Sequence, residues 1–193
     1  MRRLIYVPIV HSEADFGSFT HSLRKRYIER FGLSGWRQRI KGIEALWEEI
    51  RGKVMALEID FHKLKVYQDG LPICGRELEI VRDLARQGSK NHMLLLELAE
   101  RGATIMGTED SQLLVEEYLR LRASLERDSE MGHRATRGKD LLSRRDLYIA
   151  KRIRETLRDG ETGILFMGLL HRVDEKLSRD MEIRHLFKEG EEK

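Results

Sequence analysis

Apolar and polar positions follow two different periods along this chain. Short apolar runs rich in β-branched residues are separated by longer segments in which apolar residues recur every three or four positions. Runs of the first kind predict strands, and segments of the second kind predict amphipathic helices. Their alternation is typical of β-α units packed around a parallel sheet. The sequence therefore predicts an α/β fold with a largely parallel central sheet flanked by helices.

The apolar runs give five predicted strands. They cover residues 3–9, 53–59, 103–107, 163–169 and 181–187. Between the first two, apolar residues at helical spacing follow Ser34, a suitable N-cap, and include Trp36 and Trp47. Both tryptophans are therefore expected to pack against the sheet rather than to bind a ligand.

Further helices are predicted at 76–86 and 90–100, separated by Gly88 and Ser89. A later helix has an apolar stripe that includes Leu142, Ile149, Ile153 and Leu157, while its other faces are basic.

One domain is expected to span residues 1–188. Residues 129–139 have little periodicity, two glycines and several charges, so they predict a mobile loop over a site rather than a domain linker. The acidic residues 189–193 are expected to fray.

Composition narrows the function classes. The 36 Lys and Arg residues against 33 Asp and Glu give a net charge of only +3, which is too even to indicate nucleic-acid binding by itself. Cys74 is the sole cysteine, so an internal disulfide is impossible and a reducing, cytoplasmic location is expected. Polar residues end the first apolar run too early for an export signal, and 163–170 is shorter than the ~20 residues of a membrane helix.

Ionisable side chains follow the predicted strands. They are His11 after the first, Glu58 and Asp60 at the end of the second, Glu109 and Asp110 after the third, and His171 after the fourth. Ligands of open parallel sheets bind at the carboxyl ends of the strands, so these groups are expected to share one rim. Two imidazoles with a carboxylate are a plausible divalent-metal set, and they could equally act as general acid and base without metal.

Each of these residues also has a purely structural interpretation. Loops after strands are polar in any α/β protein, and Glu109 could simply cap the next helix. Arg145 could lie on a solvated basic face or could turn inward to bind a carboxylate. Asp69 and Gly70 resemble a turn, and the histidines outside the rim, including His62, His92 and His185, lack metal-ligand spacing.

Four segments resemble, in the same order, the landmarks of the TraB, Tiki and ChaN-like superfamily, which includes the erythromycin esterases. They are VPIVHSEADFGS (7–18), VMALEID (54–60), RRDLYIAKRIRETL (144–157) and GILFMGLLHRVDEKL (163–177). Members are similar in having two Gly-x-x-His motifs, a strand ending in Glu and an Arg-bearing helix. His171 matches the histidine of the second motif, and Glu58 matches the glutamate that ends the strand. Arg145 matches the arginine of the helix. His11 matches the first motif only in part, since Pro8 stands where the family has glycine.

The resemblance implies alternative functions. The first is a hydrolase of a peptide or ester bond, in which His11, Glu58 and His171 hold a divalent metal ion or an attacking water. Glu109 would then be a further ligand or base, and Arg145 would stabilise developing negative charge. The alternative is a binding protein for haem or another anionic small molecule. Nucleic-acid binding ranks lowest, and the sequence gives no oligomeric state.

Overall fold

In the part of the chain that the structure describes, five parallel strands form one sheet. The structure is a computed structural model that describes residues 1–126, 132–177 and 180–187. The strands are β1 (Arg2–Ile9), β2 (Leu64–Gln68), β3 (Thr104–Met106), β4 (Thr162–Gly168) and β5 (Met181–His185). Their order is β3-β2-β4-β1-β5, and every neighbouring pair runs parallel. The predicted α/β fold with a parallel sheet is confirmed.

Five α-helices within the described ranges flank the sheet. They are α1 (Thr20–Met55), α2 (Glu77–Arg86), α3 (Lys90–Glu100), α4 (Ser111–Glu126) and α5 (Gly132–Thr156). α1 begins well before the predicted N-cap at Ser34 and bends sharply at Gly32, whose φ of 74° lies in the left-handed region that glycine tolerates. Trp36 and Trp47 are both buried, and Trp47 packs against the sheet at Phe166 as the sequence predicted, whereas the ring of Trp36 contacts Tyr27 of α1.

The predicted strand at 53–59 is wrong. α1 continues through these positions to Met55, because Trp47, Ile50 and Val54 extend its buried stripe at helical spacing. The strand that follows is β2, in which Leu64 and Val66 are fully buried on one face of the sheet while Tyr67 lies on the other.

Both faces of the sheet are buried. Alternate residues of β1, such as Ile5 and Val7, pack with α1, α2 and α3, whereas Leu4 and Tyr6 pack with α5. This arrangement is usual for parallel sheets, whose crossover helices cover the two faces. Polar groups that could bind a ligand are therefore expected at the ends of the strands rather than on either face of the sheet.

The predicted loop at 129–139 is only partly within the described residues. Residues 129–131 lie outside them, and from Gly132 the chain is already helical in α5. The tail predicted to fray, 189–193, also lies outside the described residues. Among the helices of the described ranges, none is long and apolar enough to cross a membrane.

Candidate functional site

The strand register brings three loops to one edge of the sheet. Ile9 pairs with Gly168, and Gln68 pairs with Phe166, so β1, β2 and β4 end at nearly the same level. The next residues along the chain include His11, Asp69 and His171. A bridge between Pro72 and Glu109 brings the segment after β3 to the same edge. Both predicted histidines and Glu109 are therefore close together.

Asp69 is the centre of this cluster. Its Oδ2 lies 3.2 Å from Nε2 of His11 and accepts a hydrogen bond from the backbone N–H of Gly168 at 3.0 Å. Its Oδ1 accepts a hydrogen bond from Nη2 of Arg145 at 2.9 Å and lies 3.6 Å from Nε2 of His171. Only 8% of the residue is exposed. One buried carboxylate thus faces both imidazoles.

His171 has a second carboxylate partner. Its Nδ1 lies 2.5 Å from Oδ1 of Asp146 on α5, and the other oxygen of Asp146 accepts the backbone N–H of Arg172 at 2.9 Å. An ionised carboxylate only accepts, so Nδ1 of His171 carries the proton of this bond. This fixes the ring with Nε2 directed toward Asp69.

Arg145 joins the carboxylates on the α5 side. Its Nε and Nη2 donate to the two oxygens of Glu109 at 2.6 and 2.8 Å, and Nη1 lies 2.6 Å from Glu117. Glu109 also accepts the backbone N–H of Gly70 at 2.6 Å. The guanidinium therefore binds three carboxylates through its fork of donors, which a buried arginine needs to offset its desolvation. The inward-turned interpretation of Arg145 is the one that the structure shows.

These contacts shift the pKa values of the cluster. Burial alone would lower the pKa of His11, but the hydrogen bond and the charge of Asp69 outweigh it and the pKa is raised. The pKa of His171 is likewise raised, because Asp146 and Asp69 outweigh burial. Burial would raise the pKa of Asp69, yet His11, His171 and Arg145 hold it well below its usual range. Burial and the nearby Asp69 charge raise the pKa of Glu109, against the effect of Arg145.

A second polar cluster anchors the loop that carries His11. Asp15 accepts hydrogen bonds from the N–H and hydroxyl of Ser12 at 2.7 and 2.8 Å, and from the hydroxyl of Ser89 at 2.6 Å. His92 lies beside them, with Nδ1 2.7 Å from Oγ of Ser89. Burial opposes the shift, but these bonds lower the pKa of Asp15 to about 2. The loop is thereby tied to the N-terminus of α3, where His92 is buried.

Gly168 makes room for the cluster. A Cβ at this position would lie 2.7 Å from Oδ2 of Asp69 and 3.5 Å from Nε2 of His11. Only glycine, which has no side chain, lets the backbone at this position come close enough to donate a hydrogen bond to Asp69. The glycine of the sequence Gly168-Leu169-Leu170-His171 is accounted for by this contact.

The structure brings His11, Glu109, Arg145 and His171 together but leaves Glu58 out. Glu58 is exposed and precedes β2, so it lies toward the amino ends of the strands, at the opposite edge of the sheet. Its assignment as a ligand or catalytic group depended on the wrong strand. The neighbouring Asp60 only caps a short turn through the N–H of His62.

Sequence reasoning missed Asp69 as the central carboxylate and missed Asp146. Asp69 directly follows the strand that was not recognised, and its Asp-Gly pair was interpreted as a turn. Asp146 had a usable signal, since it lies four residues after Leu142 and three before Ile149, on the apolar stripe of α5. A charged residue in such a stripe indicates a buried partner.

The basic faces of α5 also have partners within the protein. Arg144 pairs with Glu116, Arg152 donates to the carbonyl of Gly107 and Arg154 donates to the carbonyl of Lys176. These contacts attach α5 to neighbouring segments. They supply no argument for a nucleic-acid interface.

The donor types at this edge suit a divalent ion, but their arrangement does not. Within residues 1–126, 132–177 and 180–187, no group of three or more His, Cys, Asp or Glu side chains is placed to hold a metal. Both oxygens of Asp69 already accept hydrogen bonds, and the nearby Arg145 adds a positive charge that opposes a cation. The same carboxylate faces Nε2 of His171, the atom that would bind haem iron. Metal and haem binding therefore stay predictions from the sequence.

No family model, no curated protein and no solved structure matches this chain.

Proposed function

We propose that this protein is a hydrolase of ester or peptide bonds that uses histidine-aspartate acid-base chemistry at the carboxyl edge of the sheet. The observation that carries the proposal is the convergence of His11 and His171 on one buried carboxylate, Asp69. The saturated hydrogen bonds of Asp69 favour the version that needs no metal. The resemblance to the erythromycin esterases agrees with this reaction class.

His11 is the proposed general base. One third of its side chain is exposed, whereas His171 is almost fully buried. A neutral His11 that donates from Nε2 to Asp69 has its lone pair on Nδ1, which can take a proton from an attacking water. The imidazolium that forms is stabilised by the Asp69 carboxylate, and the same ring can then protonate the leaving group.

The other members of the cluster position Asp69. His11 and His171 contribute most to the lowered pKa of Asp69, and the guanidinium charge of Arg145 adds to it, since a nearby cation favours the carboxylate form. His171, itself held by Asp146, faces the second oxygen of Asp69. Arg145 is only 3% exposed and is satisfied by three carboxylates, so it is a positioning residue rather than a group that touches substrate.

The approach to this edge includes an apolar rim. Leu169 and Leu170, in the turn between β4 and His171, are 60% and 79% exposed. Two neighbouring leucines exposed beside ionisable groups offer an apolar contact for a substrate.

The test is hydrolysis of p-nitrophenyl esters and of a fluorogenic peptide panel by the wild type and by His11→Ala. We expect His11→Ala to lower kcat by about 10²–10⁴-fold, the usual contribution of a positioned acid-base group. His21→Ala, an exposed histidine on α1, is the matched control and should retain full activity. A wild type inert toward both panels, or an unimpaired His11→Ala, would contradict the proposal.

The dependence of activity and stability on a metal ion is tested on the same samples. Dialysis against a chelator should leave the activity unchanged, and added Mn²⁺, Co²⁺ or Zn²⁺ should leave Tm unchanged, since an ion that binds only the folded state would raise it. Restoration of lost activity by one of these ions would favour the metal-dependent version instead.

A further inference from the structure

A groove runs along α1 from the loop after His11 toward the bend at Gly32. It consists of two cavities of about 460 and 570 Å³ that share the lining residues Glu13, Ile40 and Glu44. The first cavity also reaches Ser12, which is next to His11 in the chain, and the second reaches Leu33. We call this feature the α1 groove. It begins one residue from His11 in the chain and extends to a distal end near the bend.

An apolar stripe runs along the α1 groove, although the lining shared by its two cavities also includes Glu13 and Glu44. Its lining includes a stripe along one face of α1, formed by Leu33, Trp36, Ile40, Ile43 and Trp47. From Leu33 to Trp47 the helix advances by ~21 Å at 1.5 Å per residue. A bound molecule that follows this stripe must therefore be long and apolar.

The walls of the groove do not suit an extended peptide. They are formed largely by α1 itself, by the short 3₁₀ segment Glu13–Phe19 and by the turn before α3. Backbone groups within a helix are already hydrogen-bonded to one another, so they cannot pair with a peptide backbone. An aliphatic chain needs no such partners.

The distal end of the groove carries more positive than negative charge, because the two carboxylate residues of the second cavity, Glu13 and Glu44, belong to the part that it shares with the first. Arg24, Arg37 and Lys41 line the second cavity, and among the described residues none of these three forms a salt bridge. Arg37 and Lys41 are four residues apart on α1, a spacing at which like charges repel each other and destabilise the helix. An anionic group bound between them would relieve this repulsion.

We propose that the α1 groove binds a long aliphatic chain with a carboxylate at its far end, held by Arg37, Lys41 and Arg24. The other end of the chain would lie at Ser12 and present its ester or amide bond to His11. This inference deepens the proposed hydrolase function by naming its substrate class, and in that part it rests on the proposed function.

Binding can be measured without any reaction. Trp36 and Trp47 are the only tryptophans in the chain, and both line the groove, so intrinsic fluorescence reports on its occupancy. Dodecanoate, dodecanol and dodecylamine are titrated below their micelle concentrations. We expect a saturable change with dodecanoate and affinity about three- to tenfold weaker for the uncharged and cationic chains, the scale of exposed charge pairs.

Substitutions locate the carboxylate. Arg37→Gln/Lys41→Gln should weaken dodecanoate binding by about three- to tenfold and leave dodecanol binding unchanged. Arg82→Gln/Arg184→Gln removes two exposed cations outside the groove and should change neither. Trp36→Phe should abolish most of the fluorescence change if the chain reaches the second cavity. Absence of a saturable change, or equal affinity for dodecylamine, would overturn the inference.

A reactive probe then separates this inference from the proposed function. The mono-p-nitrophenyl ester of dodecanedioate has a distal carboxylate, which p-nitrophenyl dodecanoate lacks. We expect kcat/KM to favour the former in the wild type and the preference to disappear in Arg37→Gln/Lys41→Gln. Hydrolysis of short esters without chain binding would overturn the groove inference alone, whereas dodecanoate binding without any hydrolysis would overturn the hydrolase function alone.

Discussion

His171 and Asp146 form a buried pair between β4 and α5, with Nδ1 of the imidazole 2.5 Å from a carboxylate oxygen. Both side chains are about 5% exposed, so water scarcely screens their interaction. The pair fixes the end of the last Gly-x-x-His segment to the helix that also carries Arg145. A strand and a helix thus deliver one histidine and one arginine to the same carboxylate.

The His171–Asp146 pair predicts a pH-dependent stability. The folded-state pKa of His171 is raised above its unfolded value of ~6.5. Its contribution to stability is therefore fully present below pH ~6.5 and is lost as the pH rises through the folded pKa. We expect the free energy of unfolding, measured by urea denaturation across this range, to fall as pH rises.

Asp146→Asn isolates this effect. It removes the charge that raises the pKa of His171, so the fall in stability with rising pH should become shallower than in the wild type. The slope is compared rather than the absolute stability, because the variant also loses a buried charge-assisted bond. An unchanged slope would show that His171 is not the titrating group.

Asp69→Asn should uncouple the two histidines. Without the carboxylate, burial dominates and the pKa of His11 should fall from its raised value. Titration of the His Cε1–H resonances by NMR measures this shift directly. We also expect esterase activity to drop by about 10²-fold or more, since the imidazolium loses its counter-charge. Asp60→Asn, which alters only an exposed cap, is the control.

Glu109→Gln should destabilise the fold strongly. It removes a bidentate carboxylate partner from the buried Arg145, and breaking one side of a buried ion pair costs about 3–5 kcal/mol. Glu58→Gln changes the same residue type at an exposed position and should stay within ~0.5 kcal/mol of the wild type. Denaturant unfolding of both variants measures the two losses of stability. Equal losses would refute the assignment of Glu109 as the buried partner of Arg145.

Gly168→Ala tests the close approach of the backbone to Asp69. The added methyl group would lie 2.7 Å from the Asp69 carboxylate, so we expect a loss of about 1–3 kcal/mol and a loss of activity. Gly52→Ala, in α1 with nothing within 4 Å of the added Cβ, should instead stabilise the protein by up to ~1 kcal/mol. If Gly168→Ala retains full activity, Asp69 does not need its present position.

The sequence predicted the architecture and part of the site for identifiable reasons. β1 and β4 are strongly apolar and are followed by polar residues, so the parallel sheet and the positions of His11 and His171 could be predicted. Residues 53–59 were misassigned because Val54 and Ile59 are β-branched, although Val54 continues the period of Trp47 and Ile50. That single error moved the expected carboxylate from Asp69 to Glu58.

The rest of the site depends on contacts between distant segments. Asp146 lies 25 positions from His171 in the chain and 2.5 Å from it in space. The sequence left open whether Arg145 lies on a solvated basic face or pairs inward with a carboxylate, and only its position opposite Glu109 decides between them. The α1 groove depends on the bend at Gly32, which periodicity alone does not reveal.

The position of β1 has a consequence for synthesis. In the described part of the chain its sheet neighbours are β4 and β5, which begin at Thr162 and Met181. β1 can therefore pair only after β4 and β5 have been synthesised, and pairing over such a sequence separation makes folding slow. Until then the strand is exposed to aggregation and to chaperones. Because β4 lies between β1 and β2 in the sheet, the loops that carry His11 and Asp69 reach their native positions only once β4 has joined them, so the acid-base centre forms late in folding.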